Sequence, residues 1–168
     1  MARVSRFLIA AGAMLLIVAA LAALLRSRPG SAARLTVPDR LASLDLAAEQ
    51  TGPTAAAEIA RLHGEAFSLA SAVVARYGPN GEATLWVAAA ASEGEAADLI
   101  DAMRRALARG DSPFTPLEPM QIGGVTLYPL RGMGQEHLYF QSGRLVVWLA
   151  ADAGVAEASR LAVVEAYR

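Results

Sequence analysis

Residues 7–25 read FLIAAGAMLLIVAALAALL, an apolar run of nineteen residues bracketed by Arg3 and Arg6 before it and Arg26 and Arg28 after it. A helix of that length rises ~28 Å, close to the ~30 Å hydrocarbon core of a bilayer, and satisfies its backbone groups internally. The pattern predicts a basic n-region at 1–6 and a single transmembrane anchor at 7–25. A cleaved signal peptide is the alternative, because Ser31-Ala32-Ala33 has the small-x-small form of a cleavage site. Against it, the run exceeds the ~7–15 residues of a signal h-region. Arg26 and Arg28 also stand between the run and that site. Arginines on the two flanks nearly balance, so the short head before the helix decides orientation. It resembles a bacterial signal anchor and predicts an extracytoplasmic C-terminal domain.

Beyond the anchor the pattern changes. Residues 26–40 hold Pro29, Gly30, Ser31 and Pro38 without apolar periodicity and read as a linker to a domain at 41–168. Residues 44–49 suggest a short strand. Thr51-Gly52-Pro53 opens a helix in which Ala56, Ile59, Leu62 and His63 recur at helical spacing before Gly64. Residues 69–77 and 83–90 are β-rich on either side of the turn Gly78-Pro79-Asn80-Gly81. Ser92 and Glu95 form a capping box for a helix at 95–109, with Ala96, Leu99, Ile100, Met103 and Leu107 on its apolar face. Acids at its start and Arg104, Arg105 and Arg109 at its end match the helix dipole.

Three prolines make 111–119 a connection. Gly123-Gly124 then turns a hairpin between 120–122 and 125–130, and Pro129 predicts an edge position for the second strand. A loop at 131–137 follows, then a hairpin of 137–141 with 145–151 across Ser142-Gly143. Asp152 is expected to cap a last helix at 153–167 with Val155, Ala158, Leu161 and Val164 inward.

A displacement of 62 residues brings Tyr77 onto Tyr139, Gly81 onto Gly143, Trp86 onto Trp148, Ala88 and Ala89 onto Ala150 and Ala151, and Glu95 onto Glu157. These are the only two tryptophans in the chain. The expected fold is therefore α+β: an N-terminal transmembrane helix, then a mostly antiparallel sheet of two ββα pseudo-repeats at about 69–109 and 137–167. Their helices are expected side by side on one face.

Composition narrows the chemistry. Four of the 15 basic residues flank the anchor, leaving eleven against 16 acids and a domain near −5, which argues against nucleic acid. With no cysteine and no lysine, thiolate chemistry, disulfides, Schiff bases and a P-loop are excluded. All-arginine basicity and abundant alanine read as a GC-rich bacterial origin. No Gly-x-Ser-x-Gly or Ser-x-x-Lys pattern supplies a nucleophile with its base, and most acids lie on helix N-terminal turns. Trp86 and Trp148, in apolar strand patterns, read as core rather than as a binding surface. His63, just before Gly64, reads as a helix C-terminal residue.

The candidate site is the loop Arg131-Gly132-Met133-Gly134-Gln135-Glu136-His137, where the two units differ most. Arg131, Met133, Gln135, Glu136 and His137 concentrate varied chemistry there, and the glycines permit unusual geometry or close approach. Met133 and His137 form a soft thioether–imidazole pair of the copper type, but two ligands do not complete a metal site. The leading expectation is a non-enzymatic module that binds a partner protein or small ligand and needs no cofactor. A metal- or cofactor-handling protein is the second reading and an enzyme of unrecognised type the third. Residues 136–142, EHLYFQS, resemble the recognition sequence of the potyviral protease and predict a cut between Gln141 and Ser142 if that hairpin is exposed.

Overall fold

The computed structural model describes residues 35–63, 69–110 and 112–168. The expected anchor, the n-region, the possible cleavage site and most of the linker lie outside the described residues, as does Gly64. No helix among the described residues is long and apolar enough to cross a membrane.

Among the described residues, nine strands form one antiparallel sheet with three helices, in the order β1 (Arg40–Leu41), β2 (Leu44–Thr51), α1 (Gly52–His63), β3 (Ser71–Tyr77), β4 (Ala83–Ala89), α2 (Glu93–Ala108), β5 (Phe114–Pro116), β6 (Met120–Ile122), β7 (Val125–Gly132), β8 (Gln135–Ser142), β9 (Leu145–Ala151) and α3 (Ala153–Tyr167). Across the sheet the strands run β1-β2-β3-β4-β9-β8-β7-β5, with β6 also paired to β7. The sheet curls. Leu41 near one end and Leu127 near the other share a core with Val73, Leu85, Val147 and Leu149. Alternation along β4 and β9 aims Leu85, Val87, Val147 and Leu149 into this concave core and Trp86 and Trp148 to the convex side.

The expected placement of helices is corrected here. Ala156, Val163, Val164 and Tyr167 of α3 fill the concave core. Helix α1 packs through Ala55 and Ile59 on the convex face beside Trp86, and α2 through Ile100 and Leu107 on the same face beside Trp148. Helices α2 and α3 therefore lie on opposite faces. Connection length separates them: only Asp152 stands between β9 and α3, while three residues carry the chain from β4 to α2.

Of the 62-residue matches, that of the tryptophans falls on paired strands, Trp86 of β4 lying directly opposite Trp148 of β9. In the first hairpin Tyr77 faces Ala83, whereas in the second Tyr139 faces Trp148 rather than Leu145. This three-residue difference is odd, so it reverses the face. Tyr77 enters the concave core and Tyr139 the convex cluster. The two hairpins therefore differ in register and in the face their tyrosines take.

Other corrections are local. Helix α3 turns Ala156, Ser159, Val163, Val164 and Tyr167 inward, leaving Ala158 exposed and Leu161 52 % exposed. Its sequence is apolar nearly all round, so periodicity alone does not select a face. Asp152 has N-cap backbone geometry but no capping hydrogen bond; its carboxylate accepts from Gln135 Nε2 at 2.9 Å. Ser92 does cap α2, accepting from Glu95 N at 3.1 Å, and Glu95 accepts from Ala91 N.

Pro129 sits in a strand paired on both sides, not on an edge strand. The outer side is interrupted between β5 and β6 at this point, and Pro129 O accepts from Leu117 N there. A residue's N–H and C=O leave a strand on the same side, so the missing N–H falls at the gap. Residues 35–40 are also more than linker. Leu35 and Val37 pack on the core, and Tyr167 and Tyr77 donate to the carbonyls of Thr36 and Pro38.

Candidate functional site

The expected loop at 131–137 is a tight β-hairpin. Strand β7 continues through Gly132 and β8 begins at Gln135, leaving Met133 and Gly134 as a two-residue turn with φ of 53° and 81°. Paired positive φ values give the type I′ geometry that suits the right-handed twist of its strands. Glycine adopts this conformation freely, while methionine pays a steric cost of about 1–2 kcal/mol. Met133 is nevertheless 76 % exposed, the most exposed of the large hydrophobic side chains described. Arg131 and Glu136 are cross-strand neighbours just behind it.

Met133→Asn should therefore stabilise the domain by about 1 kcal/mol, since Asn-Gly is the preferred pair for this turn. Denaturant midpoints of the two proteins check this directly.

The remaining candidates are used internally. Gln135 ties the hairpin to Asp152 at the start of α3. His137 is buried on the convex face, with one ring nitrogen against each of two partners. Trp148 Nε1 donates to His137 Nδ1 at 3.3 Å, and His137 Nε2 lies 3.1 Å from Gly132 O. Indole nitrogen can only donate, so Nδ1 accepts and Nε2 carries the proton that the carbonyl receives. This is the neutral imidazole. Burial lowers its pKa below the usual histidine value, and the Gly132 carbonyl opposes that shift in part.

The copper-type reading gains nothing from this geometry. Metal coordination by His137 would break one of its two hydrogen bonds, and Met133 stands at the exposed tip. Among the described residues no group of three or more His, Asp or Glu side chains is placed to hold a metal.

Tertiary structure assembles something the linear pattern does not display. Val74, Trp86, Trp148, Tyr139 and Tyr128 are successive cross-strand neighbours over five strands. Trp148 stacks on Tyr139 at 5.3 Å and Tyr139 on Tyr128 at 5.1 Å, while Arg104 of α2 stands 5.3 Å from the Tyr128 ring centre. Burial outweighs that guanidinium and pushes the Tyr139 phenol up to about 12. Phe114 of β5 packs edge-on against both His137 and Trp148. At the other end, Glu58 of α1 accepts from Trp86 Nε1 at 3.3 Å and pairs with Arg76 at 3.2 Å. Both tryptophans are half-buried, the expected core residues at its margin. Only the mid-strand aromatic positions hinted at this row, because cross-strand register is not written in local periodicity.

The protease-like segment coincides with β8, between β7 and β9 in the sheet, and His137–Phe140 are buried. Gln141 Nε2 donates to Glu93 O and Gly143 O, and Ser142 Oγ donates to Tyr167 O. The folded domain withholds this bond from a protease that requires an extended, accessible substrate. No protein family, curated protein or solved structure matches the chain.

Proposed function

We propose that this chain is a non-enzymatic binding module, tethered by residues 7–25 with its α+β domain on the extracytoplasmic side. In this reading the β7–β8 hairpin contacts a partner protein or small ligand. Met133 carries the proposal. A turn optimised for folding alone would place Asn or Gly at its position, whereas this one places a large apolar side chain there, strained and 76 % exposed. Thioether side chains are flexible and polarisable, which suits contact with an adaptable apolar surface. Arg131 and Glu136 supply opposite charges beside it for orientation. A duplication in the ancestry of β4 and β9 belongs to the same proposal and accounts for their matched tryptophans and alanines.

One variant separates binding from folding. Full-length protein and Met133→Asn are recovered from the native membrane in a gentle detergent, and co-purifying species are quantified. The variant should retain or gain thermal stability and lose the bound species by about tenfold or more, the effect of removing a central apolar anchor. Equal recovery of the same species by both proteins would exclude the hairpin tip as the contact.

A further inference from the structure

We propose that His137 is a proton-operated latch on Trp148, holding the convex aromatic cluster closed when neutral and releasing the indole when protonated. Geometry dictates the direction. In the neutral form His137 bridges two elements: its Nε2–H donates to Gly132 O at the end of β7, and its Nδ1 accepts from Trp148 Nε1–H on β9. Adding a proton at Nδ1 leaves the Gly132 bond intact but sets one N–H against another. The Trp148 bond must then break, and the rings must separate or find other partners.

The surroundings offer the imidazolium little compensation. Phe114 packs its ring edge-on at 4.8 Å from β5, and Leu130 of β7 and Ala150 of β9 are the cross-strand neighbours of His137. From α2, Arg104 stands over Tyr128 and is paired with Asp101 at 3.1 Å, an exposed ion pair whose carboxylate is taken up by the guanidinium. Tyr139 remains a neutral phenol. Arg131 and Glu136 alternate with His137 along their strands and belong to the opposite face. Gln135 and Asp152 are bound to each other.

The consequence for stability has a definite sign. The folded state favours neutral His137, so the unfolded chain binds this proton at the higher pH. The stabilisation is present above about pH 6.5, the ordinary histidine value, and is lost as pH falls below it toward the lowered folded value. Trp148 is the ring that both Tyr139 and Phe114 pack against, so its release loosens the cluster as a unit. This inference does not depend on what Met133 contacts.

The two indole N–H groups of the chain provide the readout. Full-length protein with isotope-labelled indoles is titrated in mild detergent from about pH 7.5 to about pH 5, a range that spans ordinary histidine titration. The Trp148 indole signal, assigned by its loss in Trp148→Phe, should move with a midpoint below about 6.5. The Trp86 signal, held by Glu58, should stay in place over the same range. In His137→Gln, whose amide can donate to Gly132 and accept from Trp148 at every pH, neither signal should move. A Trp148 signal that stays fixed in the wild type, or moves equally in His137→Gln, overturns the latch. Where acid unfolds the wild type first, His137→Gln should unfold at lower pH, and equal unfolding midpoints would overturn the proposal.

Discussion

Leu149→Ala is expected to lose about 2–5 kcal/mol of stability, a large share of the ~5–15 kcal/mol that holds a domain of this size together. Leu149 is 2 % exposed in the middle of β9, with Leu85 and Leu138 as its cross-strand neighbours in the concave core. Truncation removes apolar surface from that core and leaves a cavity that a sheet paired on both sides of β9 cannot collapse around. Equilibrium unfolding in denaturant measures the loss.

The potyviral protease gives a second, independent reading of the same variant. Its recognition-like segment lies in β8, hydrogen-bonded to β9 and closed in the native state. Cleavage between Gln141 and Ser142 should then follow the population of the opened chain. A loss of 2–5 kcal/mol raises that population roughly 30-fold to several thousand-fold, and cleavage of Leu149→Ala should accelerate accordingly. Wild-type protein cut as rapidly as an unstructured peptide would contradict the buried placement of β8.

Gly132→Ala is the second large effect, and its cause is contact rather than backbone conformation. A Cβ at this position would meet Pro113 O at 2.5 Å, Phe114 Cδ1 at 2.6 Å and Phe114 Cα at 3.2 Å. Two of these are backbone atoms of the β5 approach, so no side-chain rotation removes the overlap. Because β5 has only three residues paired to β7, it is the element that should yield. The expected loss is about 1–3 kcal/mol, as for other overpacked sites. Phe114 would move away from His137 and Trp148, so tryptophan emission should shift to the red. Gly134→Ala is the control. A Cβ there meets nothing within 4 Å but must be held at a φ of 81°, so stability should fall without the change in emission. Equal emission shifts in both variants would show that turn strain, not the β5 contact, governs the cluster.

Local chemistry alone determined much of the secondary structure. The Ser92–Glu95 box and the charge gradient to Arg105 define α2, and Gly123-Gly124 defines a turn whose two φ values are both positive. These features depend on residues within a few positions of one another, where propensity and capping act directly. The polar stretch at 131–137 misled for a related reason. Two residues suffice to reverse an antiparallel pair, and the polar character of Gln135 and Glu136 reflects their half-exposed ends of β8 rather than a loop.

Tertiary structure decided what depends on pairing. Which strand lies beside β4 is set by the closing of β9 against it, more than fifty residues away, and no local signal encodes that choice. Register then decides the face: the odd offset between the two hairpins sends Tyr77 inward and Tyr139 to the aromatic row. Curling of the sheet decides which helix is enclosed. Helix α3, apolar on almost every side, takes the concave core that joins both ends of the sheet, while α1 and α2 keep the convex face. The same pairing turned His137 from a loop residue into the bridge between Gly132 and Trp148. Sequence determined the elements because their causes are local, and only the tertiary structure could decide their faces and partners, because those follow from long-range strand pairing.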